Sequence, residues 1–435
     1  MLRALRYRNY RLFFAGQLVS LIGTWLTTVA SSWLVYRLAS EQMPGDEALL
    51  LGIVNFAAQI PIFLLSPFAG VWVDHWSRHR ILIVTQTLSM AQSFALAYLV
   101  LGDLITIPQI VALNAFQGLV NAVDVPARQS FVVEMVEARE DLSNAIALNS
   151  SMVHGARLFG PAIAGLLIYE FNEGICFLLD GFSFAGVIVA LLAMRIKPAT
   201  VARKGTRMLH SFTEGMRYAL GFPPIRTLLA LVAVSSLMAM SQSVLMPIVA
   251  VQILNGSERT LGLLLCAAGV GAFAGSLYLA SRRTVVGLGK VIAGACCLMG
   301  ASIMLFATSK YLLLSLGLLT LSGFGMVVEM ASANTILQTL VDDDKRGRVM
   351  SLFTMAFLGM APFGSLLSGA VANRIGAPWT LGIAGAVCFL AGLTFATRLS
   401  ALRPFIRPIY MKKGIIPEVA AGIQTTAAMV SSTHD

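Results

Sequence analysis

Charge is scarce in this chain: 12% of its 435 residues are Asp, Glu, Lys or Arg, against 57% hydrophobic, and its mean hydropathy is +0.79. Cysteine is scarce too. Cys176, Cys266, Cys296, Cys297 and Cys388 lie within or at the edge of apolar runs and lack metal-ligand spacing, so they read as small packing residues and not as a disulfide framework or metal site. The sequence has no GxxxxGK[ST] phosphate loop, which argues against ATP hydrolysis. Nor does it gather a nucleophile, base and acid in a polar domain. The expectation is therefore no enzyme, no cofactor and no metal.

What the chain has is apolar length. Runs of about 20 apolar residues, each long enough to cross a bilayer, recur at 10–36, 48–73, 80–101, 106–127, 143–169, 175–195, 225–253, 260–281, 286–308, 311–337, 349–372 and 377–397. This pattern specifies an all-α membrane protein with twelve transmembrane helices. Spans 4 and 10 could each run on toward the surface. The basic leading arm followed by span 1 is too long for a cleaved signal and reads as a first helix.

Twenty-six of the 31 Lys and Arg fall on the side of the amino terminus, and four, Arg37, Arg259, Lys310 and Arg374, on the other. The positive-inside rule then puts both ends in the cytoplasm of a bacterial inner membrane. The net charge of +10 is accordingly a topology signal, with attraction to anionic headgroups compatible, and gives no reason to expect nucleic acid as a partner.

The longest polar stretch before the tail separates six spans from six. The expected organisation is a bundle at 1–196, a cytoplasmic linker at 197–224, a second bundle at 225–398 and a disordered cytoplasmic tail at 399–435. Within the linker, Ser211 and Glu214 have capping-box spacing and Leu209, Phe212 and Met216 share a face, which suggests a helix lying on the membrane surface. The halves resemble each other. At an offset of 205 residues Gly70 aligns with Gly275, Gly118 with Gly323 and Asp124 with Glu329, as in internally duplicated transporters.

Several motifs add chemistry. After span 2 comes GVWVDHWSRHR, in which Gly70 admits a neighbouring helix, Asp74 closes one helix and Arg78 and Arg80 open the next. Asp74 could hold the amino terminus of span 11, which begins just after Arg348, or be a solvated loop acid. The second copy, from Gly275 to Arg283, keeps the glycine and arginines and lacks the acid. Span 5 carries GARLFGPAIAG, where Gly160 permits close packing and Pro161 removes a backbone donor, so a bend is expected. Span 11 repeats this chemistry at GMAPFGSLLSG.

The loop after span 2 is similar to the G-x-x-x-D-x-x-x-R-x-R motif of the major facilitator superfamily, and the span 5 stretch resembles the Gly-Pro signature of its antiporters. RYRNYRLFFAGQLVSLIGTW, DVPARQSF, LSNAIALNSSMVHGARLFGP and DDDKRGRVMSL resemble the branch holding the enterobactin exporter and macrolide efflux proteins, over residues 1 to about 400. The resemblance implies two pseudo-symmetric six-helix bundles, spans 1, 4, 7 and 10 lining a central cavity, and a gate formed by Gly70, Asp74, Arg78, Arg80, Gly160, Pro161, Arg346 and Arg348. Thr24 stands where relatives often have an acid. Asn114 stands where some antiporters place a cation.

Arg157, about halfway along span 5, is then the one cation without an aqueous address, and a charge in hydrocarbon needs a partner or a wet cavity. His154 lies one turn before it, and Asp124 is a candidate partner across the helix pair. Two readings fit: a proton-responsive cluster, or a permanent buried clamp. Glu329 has no His, Lys or Arg between Tyr311 and Val341, the situation of a reversible proton carrier or a substrate contact; a hydrogen-bonded structural acid is the plainer alternative. Gln17, Ser20, Thr24, Thr28 and Ser31 form a polar stripe on span 1, and Ser236, Met240 and Ser243 a similar one on span 7. Asp180 and Arg37, near the ends of spans 6 and 1, read as interfacial anchors or an outer gate.

The expected function is proton-coupled efflux of a small organic molecule, such as a siderophore or drug, by a monomer in the bilayer. A facilitator or importer of an amphiphile such as a lysophospholipid is the alternative within transport, and a transporter-like receptor or assembly factor the alternative outside it.

Overall fold

The computed structural model describes residues 3–136, 138–195, 216–282 and 284–415; the side chains of residues 66–75 lie outside that description, as does most of the linker. One half comprises α1 (Arg8–Gln42), α2 (Glu47–His75), α3 (Arg78–Leu101), α4 (Ile107–Glu134), α5 (Arg139–Glu170) and α6 (Glu173–Leu192). The other comprises α7 (Pro223–Ile248), α8 (Glu258–Ser281), α9 (Leu288–Thr308), α10 (Leu312–Leu340), α11 (Asp343–Phe357), α12 (Ala361–Ile375) and α13 (Ala377–Lys412). With α11 and α12 forming one broken span, twelve helical spans are long and apolar enough to cross a bilayer. Because the number is even, both ends of the described chain lie on one face, here the terminal face.

Local chemistry sets the helix ends. Thr106 with Gln109, and Ser257 with Thr260, form reciprocal caps at the starts of α4 and α8. The Asn172 side chain accepts the Ile175 N–H at the start of α6. Gly376, at φ 85°, makes the sharp turn from α12 to α13, a conformation that L side chains resist.

Helix α5 runs unbroken through Pro161, whereas the matching Pro362 follows a break between Phe357 and Ala361. One expectation is corrected. The last helix continues to Lys412 through Pro404 and Pro408, so residues 399–412 are helical and not a disordered tail.

The two halves repeat their packing. Gly118 of α4 lies against the Ala58 carbonyl of α2, and Gly323 of α10 against the Ala268 carbonyl of α8, so the glycines aligned by sequence occupy matching contacts. The halves meet along two related crossings, α5 on α8 and α2 on α12. A Cβ on Gly165 would sit 3.0 Å from Gly262 Cα, and one on Gly369 would sit 2.9 Å from Gly52 Cα. All four glycines lie within about 10 Å of the face opposite the termini, at 1.5 Å rise per residue.

Candidate functional site: the central cavity and the buried acids

Among the described residues, polar contacts between the halves cluster away from the terminal face. Arg259 pairs with Glu170 and stacks over Tyr169 at 3.6 Å, Asn373 donates to Asp46 at 3.0 Å, and Gln59 donates to Ser365 at 3.4 Å. The α2–α12 seam continues inward to Phe63, whose ring meets Phe363 edge-on at 5.4 Å. Where the second half meets Gln59 of the first, a cavity of about 110 Å³ is lined by Gln59, Ser235, Ser236, Glu329, Phe357 and the methionines 240, 299, 326 and 330. Its walls are apolar and adaptable, and Glu329 is its one ionisable lining residue.

Glu329 is 3% exposed and accepts the Ser235 hydroxyl at 2.6 Å. No basic group pairs with it among the described residues. Ser236, the neighbour singled out by sequence, instead donates to the Phe357 carbonyl. That carbonyl ends α11 at the break, because the Ala361 N–H bonds Leu358. Met240 lines the cavity, while Ser243 is exposed.

Asp124 does not pair with Arg157. Its carboxylate is 1% exposed and turned into its own half, accepting from Thr85 at 2.7 Å and Gln86 at 2.9 Å on α3, and pairing with Arg128 one turn along α4. Helix α4 continues past the expected end of span 4, which places Arg128 inside the helix. Asp124 therefore does not face the central space opposite Glu329. The expected mirror arrangement of the two acids is corrected to one acid at the cavity and one sealed in a bundle.

Arg157 lies on the face of α5 opposite Leu166 and Phe159, which are exposed at 50% and 60%, by the 100° step of the helix. It shares that side of the helix with Val153 and Ile146, themselves 41% and 52% exposed, and is half-buried and without an acidic partner among the described residues. Pro161 cannot donate to the Arg157 carbonyl, and Gly269 of α8 closes on that carbonyl, where a Cβ would be 2.8 Å away. Gly160 likewise admits Trp25 of α1, its added Cβ falling 2.5 Å from the Trp25 Cβ. His154 is half-buried one turn before Arg157.

The span 1 stripe divides. Gln17, Ser20 and Ser31 are buried, and Ser31 accepts from Asn114 at 3.1 Å. Thr24 and Thr28 are exposed and donate to the carbonyls one turn back at 2.9 and 2.7 Å. At the gate, Arg78 pairs with Glu134 of its own half and Arg80 is exposed. Gly70 and Asp74 lie outside the described side chains; Arg346 and Arg348 sit in the first turns of α11.

Asp180 is neither an anchor nor a gate. It is 2% exposed inside the first half, accepting from Thr27 at 2.7 Å and Ser93 at 2.9 Å. Arg37 binds Glu173 within the same half at 2.9 Å. Sequence reasoning missed the α3 partners of Asp124 and Asp180, which lie on a stripe comprising Thr85, Gln86, Ser89, Gln92 and Ser93, all buried. Their spacing, two adjacent residues, one four on and two more at seven and eight, marks one helical face.

Two pseudo-symmetric helical bundles enclosing a cavity between them define a membrane transporter. The chain belongs to the transmembrane secretion effector family of the major facilitator superfamily, whose family model matches residues 1–410. It is 23% identical over 398 residues to the staphyloferrin A transporter of Staphylococcus aureus, covering 90% of this chain and 97% of that one. It is 25% identical to the multidrug efflux pump Tap of Mycolicibacterium fortuitum over 81% of this chain and 87% of the relative. With the macrolide efflux protein A of Streptococcus pyogenes it shares 24% identity over 85% and 92%. Among solved structures, the fold matches a D-xylose-proton symporter with TM-score 0.70 at 13% identity, covering 89% of this chain and 97% of that one. A bacterial homologue of the lysosomal transporter Spinster in an inward-facing conformation matches with TM-score 0.67 at 14% identity, over 90% and 98%. The protein is a multi-pass secondary transporter.

Proposed function

We propose that this protein exports a small organic molecule bearing a carboxylate from a bacterial cytoplasm, driven by proton influx, by alternating access of its two halves as a monomer in the inner membrane. The single observation that carries this reading is an acid without a basic partner, Glu329, lining the cavity between the halves. Such a group can take up and release a proton as the cavity changes sides. With 26 basic residues on the terminal face, that face is cytoplasmic, and the glycine crossings at Gly165–Gly262 and Gly52–Gly369 close the opposite, outer face. The names of the relatives, a siderophore transporter and two efflux pumps, agree with export. In the outward-open state, the Gly70–Arg80 loop would latch onto the head of α11 beside Arg346 and Arg348.

In sealed proteoliposomes, substrate-driven proton movement is expected in the wild type and should drop to the level of protein-free vesicles in Glu329→Gln. Flux unaffected by pH and by that substitution would instead indicate a facilitator, and saturable binding without flux a receptor. Arg157, a half-buried cation without an acidic partner among the described residues, supplies the carboxylate preference. A hydrogen bond to a charged group contributes about 1.5–3 kcal/mol. Arg157→Gln should therefore weaken a carboxylate ligand about 10- to 100-fold while leaving cationic amphiphiles unchanged, as read by thermal-shift titration.

A further inference from the structure

The interior of the first half contains a second acid that the transport reading does not use. Asp180 accepts from Thr27 of α1 and Ser93 of α3 on one oxygen, while its other oxygen lies 3.3 Å from the Ser183 hydroxyl. No cation approaches it among the described residues. Between Arg11 and Tyr36 α1 has no titratable side chain, and between Arg80 and Tyr98 α3 has none. On α6 itself the nearest are Cys176, one turn back, and Glu173, held by Arg37. Arg157 and His154 of α5 are both half-buried and deeper toward the terminal face than Asp180.

Three of the seven buried polar atoms without a protein partner in the described chain lie along the α3 seam that runs from this acid to Asp124: Gln92 Nε2, Gln117 Oε1 and Gln86 Oε1. Gln92 is 3% exposed, and its other amide atom accepts at 3.4 Å from Ser93, the residue that also donates to Asp180. Gln117 donates to Ser89 at 3.0 Å midway, and Gln86 donates to Asp124 at 2.9 Å at the far end. Each unmet buried donor or acceptor is destabilising unless something fills it. One needs an acceptor and two need donors, spaced along about 9 Å of helix, and water serves both roles.

We propose that this seam of the first half is a water-binding track joining Asp180 to Asp124, and that Asp180 binds a proton delivered along it. Water hands the proton to the Asp180 oxygen facing Ser183, and that contact reverses direction, the new O–H donating to the serine hydroxyl. Thr27 and Ser93 keep donating to the other oxygen. Asp124 stays paired with Arg128 and anchors the far end. The track lies within one bundle, so it stands or falls separately from the cargo, the export direction and the role of Glu329.

The test uses full-length protein in nanodiscs and the proton as probe. Infrared difference spectra across a pH titration, recorded in the Glu329→Gln background, should show a buried-carboxyl C=O band. That band should shift promptly in D₂O and vanish on adding Asp180→Asn. No such band, or one unchanged by Asp180→Asn, would overturn the proton site. If the Asp180 variant does not fold, Gln92→Leu decides the hydration. In a dry seam it removes an orphaned N–H and raises the apparent Tm; in a hydrated one it strands water and lowers the Tm. A raised Tm overturns the proposal.

Discussion

Replacing Arg128 by leucine is expected to destabilise the first half by about 3–5 kcal/mol, because it strands a buried carboxylate that has lost its counter-charge. Arg128 keeps about a quarter of its side chain exposed, so solvent screening favours the lower end of that range. Thr85 and Gln86 go on donating to Asp124, but neither hydroxyl nor amide supplies charge. The double substitution Asp124→Asn with Arg128→Leu should recover most of the loss, since it removes both ions together. Arg157→Leu makes the contrast: with no acid to strand, it should leave stability unchanged or slightly raised. SDS titration of the folded protein reads all three, and a large loss in Arg157→Leu but not in Arg128→Leu would restore the pairing expected from sequence.

That pairing shows where the sequence ceased to be legible. The twelve spans, the duplication and the isolation of Glu329 follow from hydropathy and composition, which depend on averages along a helix. Partner choice depends on rotation about it. Asp124 and Arg128 are four residues apart and thus neighbours on any helix that includes both. Apolar length marks span 4 only to about residue 127, whereas α4 continues through Pro126 to Glu134 and carries Arg128 with it. Ser235 and Ser236 differ by 100° of rotation, and only packing decides that the first reaches Glu329 while the second reaches Phe357. The two proline sites, Pro161 and Pro362, differ in shape: α5 is continuous with Gly269 of α8 on its Arg157 carbonyl, whereas α11 ends at Phe357, whose carbonyl accepts from Ser236 of α7. The α3 stripe was readable in principle. Its span shares the lowest mean hydropathy of the twelve, but the stripe carries no charge and is singled out only by its spacing.

Valine at Gly165 or Gly369 is expected to open the face that the present state holds shut. A Cβ at Gly165 falls 2.6 Å from the Glu258 carbonyl, and one at Gly369 falls 2.6 Å from the Ala48 carbonyl, so backbone and not a flexible side chain must yield. Overpacking of this kind costs about 1–3 kcal/mol. Each half tolerates the added methyls internally, because both positions face across the interface; the cost therefore applies to the closed arrangement alone. A difference of that size between two states changes their ratio by about 5- to 150-fold. Spin labels at Asp103 and Tyr311, on loops of opposite halves at that face, should show a longer distance in either variant and longest in both together. Gly294→Val, where an added Cβ meets nothing within 4 Å, should leave the distance distribution as in the wild type. Unchanged distances in the seam variants would mean that the halves close through other contacts, and rigid-body rocking about these two glycine crossings would have to be given up. A shift, by contrast, would tie the exchange of states to four small residues whose only property is the absence of a side chain.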